Sequence, residues 1–283
     1  MISEADLILT PEGRIYHLDL LPDDIADTIV TVGDPTRVRR VSRYFDSIQV
    51  VREHREFVTH TGMHKGKRLT VMSTGIGPDN IDIAITELDA LVNVDLKRRE
   101  PNIEHRTLTF VRVGTSGSLQ PDIPVDRLVA SRAAFGVDNL MHFYNHSTDD
   151  EAVLASFNME VMHHTWAKAY YFEADETTLN KIGMGMDVGI TVTCPGFYGP
   201  QGRTVRVPPR DARFIDKLHK WRFHNKRVTN FEMETAAIYG MARMFGHRAV
   251  SISAIVANRT NGTYSKKPQD TMETLIQTVL ERI

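Results

Sequence analysis

Short apolar runs rich in Val, Ile and Thr recur along the chain, and several are followed by a glycine-containing turn and then by apolar residues at helical spacing. Strands that alternate with helices in this way predict an α/β fold. The predicted strands are Thr28–Val32, Leu69–Met72, Leu108–Val113, Val188–Val192 and Ala249–Val256.

Helical spacing marks the segments between these runs. Ile81, Ala84, Ile85, Leu88 and Val92 form one apolar stripe. Further helices are predicted after residue 35, over 231–245 and over 271–282. In the 231–245 helix Met233 falls on the apolar face, which indicates core packing. Residues 138–183 show no pattern that assigns them.

Three predicted strands end at turns that contain glycine, at 33–35, 73–77 and 114–117. In open α/β sheets ligands bind in the crevice beyond the carboxyl ends of the strands. We therefore expect these three turns to border one site.

Composition restricts the class of protein. The chain has 283 residues, 41% of them hydrophobic, and no linker-like tract divides it, which predicts one domain over 1–283. A net charge of −2 gives no global attraction to nucleic acid or an anionic membrane, so a small ligand is expected. The N-terminal residues lack a signal-peptide pattern and no stretch is apolar enough to span a bilayer, which predicts a cytosolic protein.

Several kinds of site are disfavoured by the residues present. Cys194 is the only cysteine, which rules out an internal disulfide and favours buried packing for its thiol. The histidines show no metal-ligand spacing. The chain has neither a phosphate loop ending in Lys-Ser/Thr nor a GxGxxG fingerprint, which argues against nucleoside triphosphate and nicotinamide chemistry.

Two arginines lie at predicted strand ends. Gly33 and the helix that starts at Pro35 provide backbone amides that attract an anion, and Arg37 can bind the same anion, although such turns also occur without a ligand. Arg112 stands near the end of an apolar strand, beside Thr115. It is expected either to meet an acidic side chain or anion there or to reach the surface.

Two other segments carry polar groups that suit a nucleoside. The loop from Phe197 to Arg203 offers a ring for stacking, and Gln201 with Arg203 can match a base edge; an ordinary packed loop has the same composition. Glu232 and Glu234 stand at a predicted helix start, where they either complement the helix dipole or bind sugar hydroxyls. By spacing alone, residues 54–57 are a charged strand edge.

Taken together and in this order, these segments resemble the nucleoside phosphorylase family, of the uridine phosphorylase type. The similarity extends from about Tyr16 to Thr260. It implies a three-layer α/β sandwich with a central mixed β-sheet flanked by helices. The motifs that carry it are 33–38, 54–57, 73–77, 112–117, 201–203 and 231–234.

The resemblance also implies roles for individual residues. Phosphate would be bound by Gly33, Arg37, Arg112 and Thr115, with Arg55 reaching in from a neighbouring subunit. Ribose would contact Met233 and Glu234, with His17 again from the neighbour. The base would lie by Phe197 and bind Gln201 and Arg203, with Arg259 in support. Catalysis would depend on Arg112, Arg203, Gln201 and Glu234.

The implied reaction is the reversible phosphorolysis of a pyrimidine nucleoside, uridine above all, to the free base and ribose 1-phosphate. Inorganic phosphate is then a co-substrate and no cofactor is needed. A monovalent cation such as a structural K+ is expected between subunits at Glu56 and Ser73. The assembly would be at least a homodimer, or a hexamer built as a trimer of dimers. Arg112→Ala is expected to leave folding intact while raising the phosphate requirement.

Three alternatives stay open at this point. A purine nucleoside phosphorylase of this fold typically has a Ser-Asp pair where this chain has Ala257-Asn258-Arg259, which favours a pyrimidine. A nucleosidase would use water and would not need the phosphate arginines. A non-catalytic nucleoside-binding protein would have no use for phosphate, sugar and base residues together.

Overall fold

The structure, a computed structural model, describes residues 1–163 and 167–283. In chain order its strands and helices are β1 (Thr28–Val32), α1 (Pro35–Ser42), β2 (Ser47–His54), β3 (Phe57–His64), β4 (Lys67–Ser73), α2 (Pro78–Asn93), β5 (Val94–Asp95), β6 (Glu100–Pro101), β7 (Thr109–Ser118), β8 (Leu128–Gly136), α3 (Glu151–Phe157), β9 (Tyr170–Glu173), α4 (Glu176–Ile182), β10 (Asp187–Thr193), α5 (Phe214–Lys220), β11 (Arg222–Phe223), β12 (Lys226–Glu232), α6 (Thr235–Met244), β13 (Arg248–Asn258), β14 (Thr263–Tyr264) and α7 (Pro268–Arg282).

A large mixed sheet forms the centre of the molecule, with the strand order β11-β12-β10-β8-β13-β7-β1-β4-β3-β2. Strands β4, β1, β7 and β13 are parallel to their neighbours in this series. Strands β8, β10 and β12 are parallel to each other, while β8 runs antiparallel to β13.

The sheet also closes on itself. Asn230 and Phe231 of β12 pair antiparallel with Ser118 and Gly117 of β7, so β7, β13, β8, β10 and β12 form a ring. This closure brings the end of β12 against the carboxyl end of β7, where several polar side chains of both strands converge.

Helices pack on this sheet through the faces that the sequence predicts. The α2 stripe is buried, α1 packs on β3 and β4, α6 on β8, β10 and β13, and α7 on β7 and β13. The predicted α/β class, with a central mixed sheet flanked by helices, is confirmed. Cys194 is fully buried, as predicted, and burial raises the pKa of its thiol. Among the described residues, no helix is both long and apolar enough to cross a membrane.

Two predicted element boundaries are wrong. Strand β7 does not end at Gly114 but continues through Ser118, because that segment pairs with β13 and then with β12. The helix predicted over 231–245 begins only at Thr235, because Phe231 and Glu232 are the last residues of β12. The Glu232 carboxylate accepts hydrogen bonds from the amides of Glu234 and Thr235, and thereby caps the helix from the end of the strand.

Candidate functional site

A cavity of about 560 Å³ lies where β1, β4, β7 and β12 meet. Its wall includes the turns after β1 and β4 and the carboxyl half of β7, as strand-end reasoning predicts. Most of the predicted site residues line it, namely Gly33, Arg37, Arg112, Thr115, Phe197, Gln201, Arg203, Met233 and Glu234. The interpretation of Met233 as a core residue is wrong, because its half-buried side chain faces this cavity.

Arg112 is buried between two carboxylates. Its Nη2 lies 2.9 Å from Glu232 Oε2 and 2.6 Å from Glu234 Oε2, and only 7% of the residue is exposed. The alternative of a surface-reaching arginine is therefore wrong. Burial by itself would lower the pKa of Arg112, but the two carboxylates outweigh it and the pKa lies above its ordinary value.

Glu234 connects three parts of the site. While Oε2 pairs with Arg112, Oε1 accepts a hydrogen bond from the Gly77 amide at 2.9 Å, which holds the turn after β4 against the start of α6. Burial and the neighbouring Glu232 raise the pKa of the Glu234 carboxyl, although Arg112 opposes the rise. Both oxygens retain lone pairs, so the carboxylate can still accept hydrogen bonds from sugar hydroxyls.

Arg37 lies in the first turn of α1. Asp34 caps this helix by accepting from the Thr36 amide at 2.8 Å, and Pro35 occupies the first helical position. Arg37 Nη1 donates to the Val113 carbonyl at 3.2 Å. Burial and the charge of Arg112 lower the pKa of Arg37 to about 10, so it is still a cation at pH 7 and an anion beside it would relieve the repulsion.

Gly114 leaves the space that the Arg112 side chain occupies. A Cβ at this position would lie 2.1 Å from Arg112 Nη1 and 2.4 Å from its Cζ. We expect Gly114→Ala to displace the guanidinium from its carboxylates and to raise the KM for phosphate about tenfold or more, which is the range for losing one charged hydrogen bond. Initial rates at varied phosphate, with a thermal melt of the same preparation, would measure this. An unchanged phosphate KM would show that the guanidinium is not needed in that place.

The loop from Phe197 to Arg203 forms the other end of the cavity. Arg203 Nη1 donates to Gln201 Oε1 at 2.6 Å and to the Phe197 carbonyl at 2.5 Å, and Arg259 donates to the Gln201 carbonyl at 3.0 Å. The Arg203 guanidinium also lies 3.7 Å from the centre of the Phe197 ring. One face of that ring is therefore covered, and a base can stack only on its opposite face.

The cavity includes residues that carry no predicted role, among them Ile76, Ser116, Phe231, Val256, Ala257 and Tyr264. A β-bulge in β13 accounts for two of them, since the register with β7 shifts between Ile255 and Ala257. This bulge turns Val256 and Ala257 toward the cavity, and the sequence pattern gives no sign of it.

Four predicted residues do not line the cavity: His17, Arg55, Glu56 and Ser73. Instead of a strand edge, residues 55 and 56 form the turn between β2 and β3, with Arg55 exposed at φ 55°. The Arg55 guanidinium lies 5.7 Å from the Tyr16 ring centre, and His54 Nδ1 bonds the His17 carbonyl at 2.9 Å. We call Tyr16, His17, His54 and Arg55 the hairpin patch.

Glu56 and Ser73, the predicted cation ligands, are in contact within the chain. Ser73 Oγ donates to the Glu56 carbonyl oxygen at 2.5 Å and accepts from the Val58 amide at 2.8 Å. Oxygen atoms are suitable ligands for a hard cation. The predicted cation would also need oxygens from outside this pair.

A cluster of Asp89, His105 and His247 has metal-binding side-chain types within 4.8 Å. The Leu108 amide donates to His247 Nδ1 at 3.2 Å, so the neutral ring carries its proton on Nε2, which lies 3.2 Å from Asp89 Oδ1 without the geometry of a hydrogen bond. A protonated ring nitrogen cannot bind a metal ion. The cluster therefore does not fit a metal site.

Residues 27–282 match the profile of the family described as the phosphorylase superfamily. The chain belongs to this superfamily. One relative, a uridine phosphorylase from Thermococcus kodakarensis, is 33% identical over 91% of this chain and 82% of the relative. A DeoD-type purine nucleoside phosphorylase from Listeria welshimeri is 27% identical over 94% of the chain and 97% of the relative.

The same fold occurs in solved structures. A Trypanosoma brucei nucleoside phosphorylase, described as showing uridine phosphorylase activity, aligns with a TM-score of 0.88 and 29% identity over 98% of this chain and 99% of that one. The resemblance to nucleoside phosphorylases is thereby confirmed.

Proposed function

We propose that this chain catalyses the reversible phosphorolysis of uridine, which yields uracil and ribose 1-phosphate. One observation carries the proposal: a single cavity holds two guanidinium groups, a carboxylate and an amide–guanidinium pair. These suit, in turn, a phosphate, a ribose and a base with two carbonyl groups. The similarity to the Thermococcus kodakarensis uridine phosphorylase supports the same assignment.

Phosphorolysis needs the phosphate-binding groups at one end of the cavity and the base-binding groups at the other. Phosphate, held by Arg37, Arg112, Thr115 and the Gly33 backbone, attacks C1′ of the ribose while the glycosidic bond breaks. Positive charge then develops on the sugar and negative charge on the departing base. The phosphate oxygens stabilise the first charge, and Arg203 with Gln201 stabilises the second.

The wall formed by β13 favours a pyrimidine over a purine. Asn258, at the place where purine enzymes typically have their acid, is buried and donates to the carbonyls of Gln120 and Ile123. The cavity instead receives the apolar side chains of Val256 and Ala257. Neither can protonate a purine ring nitrogen, whereas the uracil anion is delocalised over two carbonyls and leaves more readily.

We further propose that the phosphate site is completed by a second copy of the chain. Glu232 and Glu234 both pair with Arg112, so the two arginines and the two carboxylates together offer a dianion little net charge. Arg55 of a second copy would supply the missing positive charge, and His17 of that copy would reach the ribose. The hairpin patch adjoins the turn after β4, where a Cβ on Gly75 would lie 3.1 Å from Glu56 Cγ.

A dimer is the smallest assembly that meets this requirement, and a hexamer built as a trimer of dimers would meet it as well. The cation expected at Glu56 and Ser73 would then take its remaining oxygens from the second copy. A cytosolic location is part of the same proposal.

Base release tests the function directly. The purified protein should be incubated with uridine, thymidine, 2′-deoxyuridine and inosine, with and without phosphate, and the free bases quantified. We expect uracil release that requires phosphate. A preference for inosine would overturn the pyrimidine assignment, and an absence of base release from every nucleoside would favour a binding protein.

A further inference from the structure

A buried chain of hydroxyl and amide groups runs from the interior of the ring of strands to the cavity. Ser131 Oγ lies 2.6 Å from Thr191 Oγ1, and Thr191 Oγ1 donates to Asn230 Oδ1 at 3.1 Å. Thr229 Oγ1 lies 2.8 Å from the same oxygen and 3.2 Å from the Ile190 carbonyl oxygen, and its one hydrogen can go to either of them. Ser131, Thr191, Thr229 and Asn230 are all completely buried. Such a group of buried polar atoms has to be satisfied internally, which limits the arrangements open to its members.

The amide of Asn230 is oriented by this arrangement. Because the Thr191 hydroxyl donates to Oδ1, the amide nitrogen faces the other way, toward β7. There Nδ2 donates to Ser116 Oγ at 3.0 Å. Asn230 itself is not among the residues that line the cavity, whereas Ser116 is.

The hydroxyl of Ser116 is thereby left with a hydrogen to donate. A serine hydroxyl has one hydrogen and two lone pairs, and Asn230 occupies a lone pair. Within residues 1–163 and 167–283, no acceptor is found for the Ser116 hydrogen. The position of the side chain in the cavity wall makes a bound substrate the remaining acceptor.

The location of Ser116 indicates which part of the substrate it faces. The residue pairs with Ile255, next to the bulge that turns Val256 into the cavity. The next residue along β7 is Gly117, where a Cβ would lie 3.3 Å from the Phe231 ring. That ring in turn lies 5.8 Å from the Arg203 guanidinium, which belongs to the proposed base end.

We propose that Asn230 is a positioning residue, which orients the Ser116 hydroxyl so that it donates its hydrogen to a carbonyl oxygen of the bound pyrimidine. This inference rests on the proposed function and extends its base recognition beyond Gln201 and Arg203. Negative charge builds on the base carbonyls as the glycosidic bond breaks, so the hydrogen bond strengthens toward the transition state. It therefore contributes to kcat/KM for the nucleoside and not to phosphate binding.

Two single variants and their double variant test the proposal. Ser116→Ala removes the donor, and we expect kcat/KM for uridine to fall about tenfold while the phosphate KM stays within about twofold. Asn230→Asp keeps the side-chain shape, and at a pH where the carboxyl is ionised it can only accept, so the Ser116 hydroxyl turns toward it and the same loss is expected. In the Ser116→Ala background, Asn230→Asp should then have little further effect, because its partner is already gone. Ser118→Ala on the same strand, whose hydroxyl bonds the backbone of Gln120, is the matched control.

The outcomes separate the possible failures. An additive loss in the double variant would show that Asn230 acts on stability alone and would overturn the proposal. A rise in phosphate KM with unchanged uridine kinetics would place the hydrogen on phosphate instead, and would overturn it as well. If Asn230→Asp does not fold, Asn230→Leu carries the same double-variant comparison. A parent protein that releases no uracil would contradict the proposed function itself, before any variant is compared.

Discussion

Arg112→Ala is expected to lower kcat/KM for uridine phosphorolysis by about 10² to 10³-fold, the loss typical of removing one preorganised charge-stabilising donor. We also expect it to destabilise the protein by about 3–5 kcal/mol, because it leaves the carboxylates of Glu232 and Glu234 buried without their counter-ion. The sequence alone leads to the expectation that Arg112→Ala leaves folding intact. The ion pairs of Arg112 with Glu232 and Glu234 change that expectation.

Steady-state kinetics and denaturant unfolding at several pH values would measure both effects. Burial already raises the pKa of Glu234, and loss of Arg112 would raise it further. A carboxyl whose pKa is higher in the folded than in the unfolded state binds more protons when folded, so the variant should lose stability as the pH rises above the ordinary pKa of a glutamate. Arg39→Ala, which removes an exposed ion pair with Glu53, should change stability by less than about 0.5 kcal/mol. Equal stability of Arg112→Ala and the parent would contradict the buried ion-pair account.

A mixture of two inactive variants is expected to regain activity. Arg37→Ala and Arg55→Ala should each lose most phosphorolysis, because each removes a positive charge from the phosphate. If Arg55 serves the site of the other copy, a dimer of one chain of each kind contains one intact site out of two. After subunit exchange, an equal mixture should reach roughly a quarter of the parent activity.

The matched control combines Arg37→Ala with Arg112→Ala. Both residues line the same cavity of one chain, so every site in such a mixed dimer lacks one of them and no activity should return. Mixtures should be denatured together, refolded and assayed beside each variant alone. Recovery in the control, or none in the first mixture, would contradict the shared site.

The sequence pattern predicts the parts of the fold that depend on local periodicity. The strand Thr28–Val32 is found with the predicted bounds, and α1 begins at Pro35 as its helix-start signals indicate. The expectation that Arg112 meets acidic groups is confirmed too, because the cost of burying a guanidinium applies whatever the fold.

The parts that depend on tertiary contacts are not predictable in this way. Gly114 and Gly117 suggest a turn, but both lie within a strand. The Arg112 guanidinium occupies the space of a side chain at Gly114, and the Phe231 ring lies close to that space at Gly117. Glu232 belongs to a strand and not to a helix start, since β12 closes the ring of strands. The bulge at Val256 arises from strand register, which periodicity does not encode. The placement of Arg55 outside the cavity follows from its hairpin turn.

Product stoichiometry tests the central claim, that the arginine-lined end of the cavity holds a phosphate that attacks the ribose. Uridine and phosphate should be incubated with the protein, with ³¹P NMR following the phosphorus and absorbance following uracil. We predict one ribose 1-phosphate for each uracil released. Free ribose, with the phosphate signal unchanged while uracil accumulates, would contradict the account.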